Sequence, residues 1–162
     1  MPTIPSTWGI LDPCVPGWVP GRTLIDALLA LVREIRPIYV SIVGGEPLVR
    51  LRDLDSLLAQ ISRMGVTVRL VSRAVRPILP GWKQILGLRV AVSIDGLQPD
   101  HDARRAPATY ERILKNIEGQ SVNVRCTVTR QMVRHAGSFE QFVEFWSCRP
   151  EVRQTWFSLF TP

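Results

Sequence analysis

Ile38-Tyr39-Val40-Ser41-Ile42-Val43-Gly44-Gly45-Glu46-Pro47 is a near-continuous apolar run closed by two glycines, a carboxylate and a proline. The apolar part predicts a strand buried on both faces, as in a parallel sheet. Two glycines let the backbone turn sharply and approach a ligand closely, Glu46 offers a carboxylate to an ammonium group, and Pro47 stiffens the exit. The stretch therefore predicts a ligand clamp at the carboxyl end of a strand.

Working outward, helical and strand patterns alternate from residue 21 onward. Thr23 with Asp26 forms a plausible capping box, and Leu24, Ile25, Leu28, Leu29, Val32 and Ile35 lie on one helical face, predicting a helix over 23–35. Leu51, Leu54, Leu57, Leu58, Ile61 and Met64 predict a second helix stopped by Gly65. A strand over 66–71 follows, then a short helix around 80–86 and a strand over 89–94 closed by Asp95-Gly96. Tyr110, Ile113, Leu114 and Ile117 mark a helix started by Thr109, and 122–128 reads as a strand. Ser138 with Gln141 predicts a second capping box leading into Phe139, Phe142, Val143 and Trp146, with Pro150 as the stop. A last strand is expected over 156–160.

Such alternation gives α/β architecture with a parallel sheet, as either a TIM-like barrel or an open sheet. The polar residues favour the barrel. Gly44-Gly45-Glu46, Ser72, Ser93 with Asp95, Thr127 with Thr129, and Ser158 with Thr161 fall at successive strand ends, where parallel α/β folds gather their sites. Residues 1–20 read as an irregular segment and 21–162 as a partial barrel.

At 162 residues and 46% hydrophobic content the chain suits one core. The segment Leu24 to Ile35 is interrupted by Asp26, Arg33 and Glu34, so it predicts no membrane span, and 1–18 lacks the basic start and apolar centre of a signal peptide. The cytoplasm is the expected location. The net charge of +6 comes from 18 arginines against Lys83 and Lys115. They are scattered one or two per element, which reads as a solvated basic surface and argues against a nucleic-acid stripe.

A strand closed by Gly44-Gly45-Glu46-Pro47-Leu48, about fifty residues before Val92-Ser93-Ile94-Asp95-Gly96, resembles the radical S-adenosylmethionine superfamily. His101-Asp102, Arg104-Arg105 and the helix start Thr109-Tyr110-Glu111-Arg112 extend the likeness to members that modify peptides or activate enzymes. The resemblance implies a partial barrel supplying family strands two to six, with the first strand missing and the outer edges unpaired. It implies that Gly44, Gly45, Glu46 and Pro47 hold the ammonium of S-adenosylmethionine, and that Ser72 and Ser93 meet its carboxylate and ribose. Asp95 either contacts ribose or caps the following turn. Thr127 and Thr129 are candidates for the adenosine or substrate side. His101 reads as a loop-fixing residue or as an acid or base, and Arg104 and Arg105 as binders of a substrate anion or as solvated loop charges.

The family's chemistry uses a C-x-x-x-C-x-x-C loop whose three thiolates hold a 4Fe-4S cluster. Cys14 fits no register of that motif, and Cys126 and Cys148 lie far from it in sequence. The cluster is expected for the family, but its ligands are absent here and no metal site is expected. Ser72-Arg73-Ala74 also departs from the family's common Thr-Asn-Gly. The resulting expectation is a radical enzyme core in fragmentary or inactive form, acting on an unknown substrate, a peptide or protein by resemblance. Two other readings stand beside it: a non-catalytic cofactor-binding or partner-docking module, and an unrelated barrel enzyme using Glu46 and Asp95 as a carboxylate pair on neighbouring strand ends.

Overall fold

The computed structural model describes residues 21–105 and 107–159. Helix α1 spans Gly21–Ile35, strand β1 Tyr39–Ile42, helix α2 Leu51–Arg63 and strand β2 Thr67–Ser72. Strand β3 covers Leu88–Ser93, helices α3 and α4 cover Gln98–Arg104 and Thr109–Ile117, and strand β4 covers Val122–Val128. Helices α5 and α6 (Arg130–Arg134 and Ser138–Ser147) and strand β5 (Val152–Leu159) complete the described chain.

All five strands are parallel and lie in the order β1-β2-β3-β4-β5. Each strand is added beside its predecessor with no reversal of direction across the sheet. That is the winding of a barrel arc; a doubly wound sheet would reverse its strand order at a switch point. The arc does not close, and among the described residues β1 and β5 each pair on one side only. The expected absence of a first strand concerns residues 1–20, which lie outside the described residues.

The core fills the space between the sheet and the helices on its outer face. Leu29 and Val32 of α1, Leu54, Leu57, Leu58 and Ile61 of α2, Ile113 and Ile117 of α4, and Phe142 and Trp146 of α6 are buried there. They share this core with Ile42, Val68, Leu70, Val90, Val92, Val122, Val124 and Cys126 of the strands. The i, i+3, i+4 spacing of the apolar helix residues is what places them on one face. In β2 the pattern alternates strictly, with Val68, Leu70 and Ser72 buried beneath helices and Thr67, Arg69 and Val71 on the opposite, concave face.

Several local expectations need correction. Ser138 and Gln141 form no capping box: Gly137, in the left-handed region at φ 82°, occupies the N-cap, and the Gln141 amide donates to its carbonyl at 2.9 Å. Thr23 lies inside α1 and is not its cap. The helix expected around 80–86 is a 3-10 turn over Pro80–Gln84 that buries Trp82. Strand β5 starts four residues earlier than expected, because Val152, Gln154 and Thr155 pair with β4 around a bulge at Arg153 although these side chains are polar or only half-buried.

Candidate functional site

The loop between β1 and α2 turns through Gly44 at φ 102° and Gly45 at φ 39°, both in the region that side chains with a Cβ rarely adopt. Both glycines are exposed. Glu46 then turns inward and is only 6% exposed. Its Oε1 accepts from the Leu48 amide at 3.1 Å, capping the 3-10 turn Pro47–Arg50. The same oxygen accepts from the Ser72 hydroxyl at 2.6 Å, and Oε2 accepts from the Arg73 amide at 2.9 Å, with the Arg73 guanidinium 3.7 Å away. A carboxylate offers about four acceptor positions. Three are filled by neutral donors of this loop and the end of β2, so Glu46 fastens the glycine turn to the next strand. Ser72 Oγ also accepts from the Ala74 amide at 2.8 Å, which uses the hydroxyl in both directions.

A second buried carboxylate stands after β3. Asp95 accepts from the Arg105 Nε at 2.6 Å and lies 3.3 Å from the Arg104 Nε. It also accepts from the Thr127 amide at 3.3 Å, which ties the end of β3 to the end of β4. Arg104 and Arg105 are thus engaged by Asp95. Gly96, at φ 131°, has no room for a side chain: a Cβ there would sit 2.7 Å from the Asp100 Cβ.

His101 is on α3, not in a loop, and is 1% exposed. Its Nδ1 accepts from the Asp95 amide at 3.1 Å, which fixes a neutral ring with the proton on Nε2. Burial, followed by the positive charge of Arg105, pushes its pKa down from the ordinary histidine value. The ring packs edge-on against Tyr110, which in turn meets Trp146. Asp102, the next residue, caps α4 by accepting from the Thr109 hydroxyl at 3.2 Å and the Tyr110 amide at 3.0 Å. The Tyr110 amide bond is the largest cause holding the Asp102 carboxyl below its ordinary value.

Ser93 is half-buried at the end of β3, and Thr127 and Thr129 follow at the end of β4. Gly44, Gly45, Ser72, Ser93, Asp95 and Thr127 therefore all lie at or just beyond the carboxyl ends of β1 to β4. Glu46 and Asp95 do not form a pair on neighbouring strands, because β2 lies between β1 and β3. That arrangement removes the carboxylate-pair reading. Ser158 lies on β5, and Thr161 is outside the described residues.

The described residues do not fit an iron-sulfur cluster. No group of three His, Cys, Asp or Glu side chains that could hold a metal occurs among them. Cys126 is buried inside β4, where burial and the charge of Asp95 push its thiol up to about 12. Cys148 is exposed at the far end of α6. Cys14 lies outside the described residues.

No family model matches the chain, and no curated protein matches it. Solved structures do. SuiB of Streptococcus suis, bound to S-adenosylmethionine, superposes on 91% of this chain with a TM-score of 0.64 at 16% identity. Native anSMEcpe with bound AdoMet superposes on 85% with a TM-score of 0.64 at 16% identity. TYW1 with a lysine-pyruvate adduct superposes on 96% with a TM-score of 0.65 at 19% identity. The chain spans 35%, 42% and 59% of the lengths of those three proteins. At these identities the likeness establishes the fold alone, an open partial barrel of parallel strands that this chain shares with those three proteins.

Proposed function

We propose that this chain is the cofactor-binding core of a radical S-adenosylmethionine enzyme. The reading is carried by the exposed turn Gly44-Gly45, which the buried Glu46 fastens to the end of β2 through Ser72 and the Arg73 amide. In this reading the carbonyls of the turn and the remaining acceptor position of Glu46 receive the ammonium of S-adenosylmethionine. Pro47 fixes the exit of the turn. Ser93 meets the carboxylate or ribose, and Thr127 and Thr129 line the adenosine or substrate side. Ser72 and Asp95 hold strand ends in place: both have their polar atoms committed to neighbouring protein groups. His101 and Arg104 serve the same end, fixing the backbone and charge of Asp95.

When bound, a 4Fe-4S cluster would supply the electron that cleaves the cofactor in such enzymes. The described residues provide no thiolate set for it, so no radical step is assigned to them. A peptide substrate is compatible with the fold, since SuiB has been crystallised with the precursor peptide SuiA and anSMEcpe with the Cp18Cys peptide.

The second reading is a barrel that binds S-adenosylmethionine or another nucleoside without turnover. Equilibrium dialysis of labelled S-adenosylmethionine with the iron-free protein tests both. Saturable binding that Gly44→Val weakens by about tenfold or more supports a cofactor pocket at the turn. Absence of saturable binding, with the protein shown to be folded by circular dichroism, overturns it. After anaerobic reconstitution, 5′-deoxyadenosine release separates the enzyme core from the silent binder.

A further inference from the structure

The strands carry an unusual charge pattern. None of the five contains an aspartate or glutamate, yet Arg69 lies in β2, Arg89 in β3 and Arg125 in β4. The parallel register places Arg69 beside Arg89, and Arg125 beside Ser93. Partners in register share a face, so all three arginines belong to the concave side of the sheet, opposite the helix-covered core. Arg69 confirms the assignment. Its guanidinium reaches across the arc to lie 4.3 Å from the centre of the Trp156 ring on β5, and 6.0 Å from that of Tyr39 on β1.

Neither Arg69 nor Arg89 forms an ion pair among the described residues, and the Arg69 Nε is buried with no hydrogen-bond partner. Arg69 and Arg89 leave adjacent strands whose backbones run roughly 5 Å apart, so two like charges are rooted side by side on this face. The ring of Trp156 holds the Arg69 plane but satisfies none of its N–H groups. Beyond Arg89, at the amino ends of β3 to β5, lies a cavity of about 510 Å³. Lys83, Arg89, Arg153, Asn123 and Gln154 are among the residues that line it, and no carboxylate does. Its size is that of a small-molecule site. Unpaired planar donors on a surface free of acids match an oxyanion, which takes parallel N–H bonds from a guanidinium fork and offsets the repulsion.

We propose that the cavity at the amino ends of β3 to β5 is a binding site for a small oxyanionic ligand, bearing phosphate or several carboxylates, with Arg89, Lys83 and Arg153 as its cations. The site lies toward the amino ends of the strands, away from the glycine turn, and stands whether or not the turn binds S-adenosylmethionine.

Isothermal titration of the full chain with inorganic pyrophosphate and, separately, with citrate at constant ionic strength tests it. Saturable binding of either is expected, and the stronger of the two assigns phosphate or polycarboxylate chemistry. Arg89→Gln should weaken that binding by about tenfold or more. Arg89→Lys, which keeps the charge without the fork, should weaken it less, and Arg52→Gln on the exposed face of α2 should leave it unchanged. The proposal is overturned if neither anion binds saturably, or if a folded Arg89→Gln or Arg89→Lys protein and Arg52→Gln all bind like the parent. Should Arg89→Gln fail to fold, the Arg89→Lys comparison and the parent titration still decide.

Discussion

Glu46 and Ser72, 26 residues apart in sequence, meet at 2.6 Å and join the glycine turn after β1 to the end of β2. The bond is charge-assisted and buried, and the same hydroxyl supports the Ala74 amide. Ala74 sits at φ 51°, a left-handed conformation that a residue with a Cβ keeps only when its surroundings hold it there. Ser72→Ala removes one donor from Glu46 and one acceptor from Ala74. The expected cost is about 2 kcal/mol of unfolding free energy, since two buried polar groups lose a partner. Urea denaturation of the variant checks it. A loss of a few tenths of a kcal/mol would mean that Glu46 is held adequately by the Leu48 and Arg73 amides alone.

Asp95 plays the corresponding part between β3 and β4, with the Arg105 guanidinium and the Thr127 amide as donors. Asp95→Asn keeps the size and one acceptor but removes the charge that faces Arg104 and Arg105. It is expected to cost about 3 kcal/mol, whereas Arg105→Gln, which leaves Arg104 and Thr127 on the carboxylate, should cost about half as much. Hydrogen exchange should also speed up selectively in α3, the helix that carries Arg104. Equal losses from the two variants would show that Arg104 contributes nothing to holding Asp95.

Much of this architecture was legible from residue spacing. The apolar faces of α2 and α4 and the runs of β2, β3 and β4 are local signals, and the structure places these elements within a residue or two of the expected bounds. Helix α3 left no such signal, because Gln98-Pro99-Asp100-His101-Asp102-Ala103-Arg104 has no apolar periodicity and buries only His101. The strand-end grouping of Gly44, Ser72, Ser93 and Asp95 followed from parallel winding. Which way their polar atoms point did not, since Ser72 and Arg73, which hold Glu46, and Thr127, which holds Asp95, come from the next strand's end and no local pattern encodes them. The arginines show the reverse case. Arg69, Arg89 and Arg125 read as scattered surface charge, although their place in short acid-free strands carried the signal that they share one face.

His101 makes stability depend on pH. Its folded-state pKa is lowered by burial and by Arg105, so between that value and the ordinary one near 6.5 the unfolded chain binds more protons than the folded one. Stability therefore rises with pH through this window and is lost as the pH falls below about 6.5. Urea midpoints should decline between pH 7 and pH 5. His101→Asn, whose amide oxygen can take over the acceptor role of Nδ1 without titrating, should flatten that slope. An unchanged slope in the variant would assign the effect to other groups.

Cys126 and Cys148 should differ sharply in reactivity. The thiolate is the reactive and metal-binding form. Burial and the neighbouring Asp95 raise the Cys126 thiol to about 12, so at pH 8 its thiolate fraction is on the order of one in ten thousand. Its sulfur also packs 3.9 Å from that of Met132, inside the core. Iodoacetamide should label the exposed Cys148 in the native protein, and Cys126 only after denaturation, as read by peptide mass mapping. Anaerobic reconstitution with iron and sulfide should leave that contrast unchanged, because a cluster ligand at Cys126 would require the thiol to leave the core of β4 and lose its proton. Native labelling of Cys126 at the rate of Cys148, or its protection against labelling under denaturing conditions after reconstitution, would place this cysteine in metal chemistry after all.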